Sequence, residues 1–292
     1  MSTPHRPLAA ALWMTGSIAA FTSMAIATRQ INGAHDTFEI LAYRSVIGWV
    51  LVLGIALAMG QAGRIRRDRV GSHLVRNVFH FTGQSLWFWA ITLIPLAQVF
   101  ALEFTSPIWV ILLSPLFLGE RLTRRKLLAA ALGFAGILIV ARPDFTALET
   151  GVLAAAGAAV FFAVTNLMTK ALTTDGEAIV SILFWLTLIQ ACFGTIAMAA
   201  DGAVTLPTLA TLPWLALIGV AGITAHLCLT TALSLAPAST VVPVDFARLP
   251  IIAAIGALVY AEPVEPSLFL GAALIFLGIW LNLRQRVAIA TG

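Results

Sequence analysis

Four ionisable residues lie inside long apolar stretches of this sequence: Arg44, Glu103, Asp245 and Arg248. A charge at the centre of a lipid bilayer costs about 2.5–3.5 kcal/mol on insertion scales, so such residues are candidates for a functional site. Asp245 and Arg248 are three positions apart and share a helical face. They can neutralise one another or hold the amino and carboxylate groups of a substrate.

The partner of Glu103 is less evident from the sequence. Its predicted helix carries no cation, and the nearest intramembrane cation in sequence is Arg44, so a structural ion pair and substrate or proton binding both stay open. Arg44 lies near the predicted outer end of its helix, from which its long side chain can reach the interface. We expect a structural role for it, and helix capping or loop pairing for Glu120 and Glu262.

A polar stripe follows one face of the third apolar run. His80, Gln84 and Trp87 recur at i, i+4 and i+7, so they share a side of a helix that is otherwise largely apolar. Such a stripe lines a cavity or makes hydrogen bonds between helices. Adding 142 to the number of Gln84 leads to His226, a second polar residue in an apolar run. His80 and His226 lack a third ligand at a useful spacing, so no metal site is predicted.

Aromatic residues accompany these polar positions. Phe104 and Phe246 follow the two acids directly, and Phe162 lies four residues before Asn166. They can form aromatic walls with one polar group, or pack as ordinary core. An apolar pocket with a few polar groups suits a small amphiphilic ligand, and aromatic faces can take an ammonium group. Together with the stripe, these residues form the predicted substrate site.

Four prolines lie within the predicted helices that carry the acids: Pro107, Pro115, Pro243 and Pro250. Each removes a backbone hydrogen bond and can kink its helix. They are the predicted hinges of a gating movement.

The composition defines the class of protein. Hydrophobic residues make up 60% of the chain and charged residues only 10%, and the mean hydropathy is +0.97. These values indicate an integral membrane protein. The pI of about 9.7 reflects basic clusters between apolar runs, and nucleic-acid binding is not expected. Neither Cys192 nor Cys228 indicates a disulfide or metal site, and no nucleotide or cofactor motif is present.

About 20 apolar residues are needed to cross the bilayer. The sequence predicts ten helical spans with short connections, an all-α polytopic fold. The predicted spans are 8–27, 38–60, 71–93, 96–118, 127–141, 150–172, 178–199, 213–233, 238–259 and 267–283.

The chain repeats itself. Ala90 to Gly136 aligns without gaps with Ala232 to Gly278 at a spacing of 142, through Pro95 on Pro237 and Glu103 on Asp245. We therefore divide the chain into repeats at 1–143 and 144–292. Five spans in each repeat are an odd number, so the second repeat enters the membrane from the opposite side and the repeats are inverted.

Basic residues predict the orientation. Arg64, Arg66, Arg67 and Arg69 occupy the second loop and Arg121 to Lys126 the fourth, which places both loops in the cytoplasm. Ten spans then leave both termini cytoplasmic. Small residues on the fifth and tenth spans, including Gly133 and Gly278, predict close packing between those helices.

The segment from Pro95 to Leu118–Gly119–Glu120–Arg121–Leu122–Thr123, with Gly133 and Gly136 after it, resembles the motif of the EamA-type exporters of the drug/metabolite transporter superfamily. The second copy is similar, although Gly119 and Arg121 become Ala261 and Pro263. Length and overall character are also similar to those of YddG-type amino-acid exporters. This resemblance implies a ten-helix secondary transporter of a bacterial inner membrane that exports its substrate.

The leading hypothesis is a carrier that exports amino acids, including aromatic or other neutral ones, and related small metabolites by alternating access. One alternative is a broader efflux protein for drugs or cations, which would depend more on Glu103 and the aromatics. Another is an intramembrane enzyme using His80 with a carboxylate, although no nucleophile motif supports it. A receptor role is a further alternative. The expected partners are a small-molecule substrate and the lipid bilayer, without a cofactor, and the two fused halves make a monomer sufficient.

Overall fold

A computed structural model describes residues 6–31, 33–94, 96–119, 121–141, 150–200, 202, 204–260 and 266–284. Within these ranges the chain forms helices joined by short connections and contains no β-strand. The α-helices are α1 (Pro7–Gln30), α2 (Thr37–Ala58), α3 (Val70–Leu93), α4 (Leu96–Glu103), α5 (Ser106–Leu118), α6 (Arg124–Ala141), α7 (Thr150–Thr174), α8 (Ile179–Ala200), α9 (Leu212–Leu235), α10 (Ala238–Val241), α11 (Arg248–Tyr260) and α12 (Pro266–Arg284). Glu120, Glu262, the repeat boundary at 143 and the N-terminal residues 1–5 lie outside the described residues.

Five helices of the described part are long and apolar enough to cross a membrane by length and composition: α1, α2, α7, α8 and α9. Helix α3 has 24 residues, which at 1.5 Å per residue give about 36 Å, more than the hydrocarbon thickness. The polar stripe makes α3 less apolar than the other five helices, which is why composition does not place it among them. The stripe faces inward, where His80 and Gln84 are 4% and 3% exposed.

Two predicted spans are broken. The span at 96–118 ends as α4 at Glu103 and resumes as α5 at Ser106. Pro107 is the second residue of α5 and has no N–H to donate to the carbonyl of Glu103, so a continuous helix would lose that bond. A proline also disfavours the helical conformation in the residue that precedes it.

The second break lies in the span predicted at 238–259. Helix α10 passes into a 3-10 segment, Val242–Ala247, before α11 begins. Pro243 lies at the start of this segment and cannot donate a backbone hydrogen bond. Pro250 lies in the first turn of α11, where an N–H has no partner within the helix, and Pro115 lies inside an uninterrupted α5. Only Pro107 and Pro243 therefore accompany breaks.

The main helix pairs join the two halves of the sequence. Helix α1 packs on α9 and α3 on α7, while α2 packs on α8 and α6 on α12. Close approach between α6 and α12 depends on Gly278, since a Cβ atom there would lie 2.7 Å from the carbonyl oxygen of Ala129. The predicted close packing of these two helices is confirmed.

Hydrogen bonds join the two halves of the chain at both ends of the bundle. At one end Arg69 donates to Asp175 at 2.7 Å, and the indole N–H of Trp185 donates to the carbonyl of Arg66 at 2.8 Å. At the other end His35 bonds to the hydroxyl of Thr211 at 3.0 Å. These contacts fix the ends of the helices that surround the centre of the molecule.

Candidate functional site

A central cavity of about 80 Å³ lies among α1, α2, α3, α7, α9 and the two broken spans. It has room for several water molecules. All but one of the predicted substrate residues line it: His80, Gln84, Trp87, Glu103, Phe104, Phe162, Asn166, His226, Asp245 and Arg248. Pro107 also lines the cavity, whereas the other predicted hinge prolines do not.

Arg248 joins both acids of the cavity. Its Nη2 donates to Glu103 Oε1 at 2.5 Å and to Asp245 Oδ2 at 2.7 Å. The predicted pairing of Asp245 with Arg248 is confirmed. The structural ion pair considered for Glu103 is present, and its partner is Arg248 instead of Arg44, the nearest intramembrane cation in sequence, because the packing brings α4 beside the start of α11. Trp87 completes the group, since its Nε1 donates to Glu103 Oε2 at 2.6 Å.

Three aromatic rings surround the guanidinium of Arg248. Its Cζ lies 5.2 Å from the centroid of Phe21, 5.3 Å from that of Phe100 and 5.0 Å from that of Phe104. Arg248 is 2% exposed. Rings at this distance stabilise a buried cation through their electron-rich faces. Arg248 is thus fixed by two carboxylates and three rings.

Phe246 is the predicted substrate residue that does not line the cavity. Its ring meets Phe104 edge to face at 6.5 Å and lies against Gly133, where a side chain would collide with it. The 3-10 turn around Pro243 directs Asp245 toward the cavity and the next residue toward α6. The prediction that Phe246 contacts substrate is therefore not supported by its position.

Arg44 turns into the protein. It is 7% exposed and donates through Nη1 to Gln84 Oε1. The absence of a side chain at Gly222 leaves space for it, since a Cβ there would lie 2.8 Å from Arg44 Nη2. The predicted extension of Arg44 to the interface is wrong, because this space and the acceptor on α3 lie inside the bundle.

The stripe on α3 continues into a buried polar network. Gln84 Nε2 donates to Gln190 Oε1 at 3.0 Å, and Gln190 Nε2 donates to Asn77 Oδ1 at 2.9 Å. The rings of His80 and His226 lie 4.9 Å apart, edge to face. The stripe thus both lines the cavity and connects helices, so the two functions considered for it occur together.

Sequence reasoning missed Arg76. Its position just after the second loop suggests one more basic residue of the predicted cytoplasmic side. In the structure it is 1% exposed and lines the cavity. Its Nε donates to Thr169 Oγ1 at 2.7 Å. The spacing of Arg76, His80 and Gln84 at i, i+4 and i+8 was the available signal. The cavity also contains residues of α1 that carry no sequence signal, such as Ser17 and Met24.

The chain matches the EamA-like transporter family over residues 8–142 and again over residues 149–284. It belongs to that family. This EamA transporter is 32% identical over 286 residues to a riboflavin transporter of Vibrio cholerae, a match that covers 96% of this chain and 94% of the relative. It is 31% identical over 274 residues to a riboflavin transporter of Rhizobium johnstonii, covering 93% and 90%.

A more distant relative is an S-adenosylmethionine uptake transporter of Rickettsia bellii, 23% identical over 263 residues and covering 90% of this chain and 89% of the relative. A crystal structure with 19% identity superposes with a TM-score of 0.78 over 97% of this chain and 98% of that one. The two chains therefore share a fold. The EamA transporter is a multi-pass membrane transporter and not an enzyme. These relatives do not support the predicted similarity to YddG-type amino-acid exporters.

Proposed function

We propose that this EamA transporter is a secondary carrier of riboflavin in a bacterial inner membrane. The observation that carries the proposal is similarity along nearly the whole chain to riboflavin transporters of different bacteria. The cavity chemistry agrees with such a cargo. Riboflavin combines a planar heteroaromatic ring with a polyhydroxylated chain, and the cavity presents aromatic faces beside amide and hydroxyl groups.

The charged groups favour a flavin over a free amino acid. A free amino acid needs a carboxylate in the site for its ammonium group and a cation for its own carboxylate. The carboxylates that line the cavity, Glu103 and Asp245, are both already paired with Arg248. The same pairing weakens the alternative of cation efflux, for which Glu103 would have to accept the cargo. A neutral ring with many hydrogen-bonding groups does not require this ion group to open.

The transport cycle follows from the arrangement of repeats that we propose. Ten spans in two inverted repeats, 1–143 and 144–292, would place both termini in the cytoplasm. The pairing of α1 with α9 and of α3 with α7 supports this symmetry, since each repeat then contributes its first helix to the third helix of the other. Movement of one repeat against the other would widen the cavity and alternate its access. The hinges would be the helix breaks at Pro107 and Pro243, with Pro115 and Pro250 as further points of bending. A single chain supplies the complete site.

The test is flux of radiolabelled riboflavin into proteoliposomes, with and without a pH gradient, beside labelled amino acids and S-adenosylmethionine. We expect saturable riboflavin flux that excess unlabelled riboflavin suppresses and that amino acids leave unchanged. Protein-free liposomes provide the control for riboflavin that partitions into lipid. Saturable amino-acid flux without riboflavin flux would restore the hypothesis of an amino-acid exporter.

A riboflavin-auxotrophic bacterium without its own importer tests the direction of transport. Growth on low external riboflavin, dependent on this gene, is the expected result for uptake. Accumulation in the proteoliposomes that requires a proton gradient would identify an ion-coupled carrier. Equilibration alone would identify a facilitator.

A further inference from the structure

Two arginines of the central cavity have no acidic partner in the described part of the chain. Arg44 donates to the neutral amide of Gln84, and Arg76 donates to the neutral hydroxyl of Thr169. The acids that line the same cavity, Glu103 and Asp245, are both taken by Arg248. Arg44 and Arg76 are therefore buried positive charges whose counter-charge is missing from their described neighbours.

Polar atoms without partners lie at the same place. Arg76 Nη1 and His80 Nδ1 are buried and have no hydrogen-bond partner among the described residues. The two residues are four positions apart on α3, so they lie on one face about 6 Å apart along the helix axis. Gln84, which holds Arg44, is one further turn along. Arg76 and Arg44 thus flank His80, and the ring of His226 lies 4.9 Å from that of His80.

A guanidinium kept from water without a counter-charge is unfavourable, so its burial requires another source of compensation. Its planar fork matches the oxygens of carboxylate and phosphate groups. We propose that Arg44, Arg76 and His80 form a binding subsite for the anionic group of a second cargo, a phosphorylated flavin, beside neutral riboflavin. A molecule bound there would place its anionic group at Arg76 and extend toward Trp87, about 16 Å along α3, where the aromatic rings gather.

This inference rests on the proposed function in its choice of a flavin, and the probe is the 5′-phosphate ester of riboflavin. Binding of this ester and of riboflavin would be measured separately by flavin fluorescence in nanodiscs. The variants are Arg76→Gln, Arg76→Lys and Arg67→Gln. Arg67 is exposed in the loop before α3 and provides a control for loss of one positive charge.

We expect the wild-type protein to bind the phosphate ester roughly tenfold or more tightly than riboflavin, because hydrogen bonds between charged groups are the stronger kind. Arg76→Gln should remove this preference and retain riboflavin binding. Arg76→Lys should keep part of the preference, and Arg67→Gln should keep all of it. Equal affinity for the two flavins in the wild-type protein, or a preference that survives Arg76→Gln, overturns the inference.

A second measurement separates failure of the subsite from failure of the flavin proposal. If neither flavin binds, the proposed function fails. The subsite is then tested alone, by measuring the unfolding temperature in inorganic phosphate, citrate and chloride at matched ionic strength. A rise in the unfolding temperature in phosphate or citrate that Arg76→Gln abolishes supports the subsite, and no such rise overturns it. Failure of both Arg76→Gln and Arg76→Lys to fold would assign Arg76 a structural role instead.

Discussion

Arg248 and Glu103 are 145 positions apart in the sequence, and in the structure Arg248 Nη2 lies 2.5 Å from Glu103 Oε1. One residue comes from each half of the chain. The contact connects the broken span of the first half with the broken span of the second, directly at the cavity. Together with Asp245 it forms a group of one cation and two carboxylates, with one net negative charge when all three are ionised.

Loss of the cation should be much more harmful than loss of one acid. Arg248→Gln leaves two buried carboxylates without a counter-charge, and we expect it to destabilise the protein by about 3–5 kcal/mol. Asp245→Asn leaves a balanced pair of Arg248 and Glu103, so its unfolding temperature should equal or exceed that of the wild-type protein. Thermal unfolding in detergent compares the two. Equal destabilisation by both variants would contradict this account of the charges.

Trp87 should contribute through its indole N–H. Trp87→Phe keeps a ring beside Phe88 and Phe100 and removes the donor to Glu103 Oε2. A hydrogen bond to a charged group contributes about 1.5–3 kcal/mol, so we expect a stability loss of this size and altered substrate affinity. Trp89→Phe is the matched control, since Trp89 is 44% exposed on the same helix. An equal effect of the two replacements would assign the role of Trp87 to packing alone.

The contact between α6 and α12 should not tolerate one added methyl group. Gly278→Ala places a Cβ 2.7 Å from the backbone oxygen of Ala129, so the helices must separate. We expect a loss of about 1–3 kcal/mol in the free energy of unfolding. Gly54→Ala in α2 meets no atom within 4 Å and should be neutral or stabilising, because alanine favours a helix over glycine. Chemical or thermal unfolding of the two variants measures the difference.

Cysteine labelling tests the predicted orientation. Arg67→Cys lies in the basic loop before α3, and Leu209→Cys lies at a position 92% exposed between α8 and α9. In intact cells a membrane-impermeant maleimide should label Leu209→Cys and not Arg67→Cys, because basic loops stay in the cytoplasm. Cys192→Ser is needed as the background, since the native thiol is exposed. The reverse labelling pattern would show that the orientation is inverted.

The sequence predicted the helical class, the family and most of the cavity, because these depend on local pattern. A run of apolar residues fixes a helix, and a polar stripe such as His80 and Gln84 must face inward wherever the helix lies. Side-chain partners depend on packing between distant segments, and this is why the sequence left the partner of Glu103 open, whereas the structure pairs it with Arg248. Arg76 was missed for a related reason, since position beside a basic loop does not reveal which way a side chain turns.

The unequal number of guanidinium and carboxylate groups around the cavity predicts that the proposed transport cycle depends on the membrane potential. Arg44, Arg76 and Arg248 against Glu103 and Asp245 leave one net positive charge when the two histidines are neutral. A unit charge that crosses 100 mV changes its energy by about 2.3 kcal/mol. In the alternating-access cycle that we propose, a negative cell interior would therefore favour the conformation in which the empty cavity opens to the cytoplasm. A cargo with one negative charge would cancel this preference, so voltage would act on the return of the empty carrier and spare the loaded one.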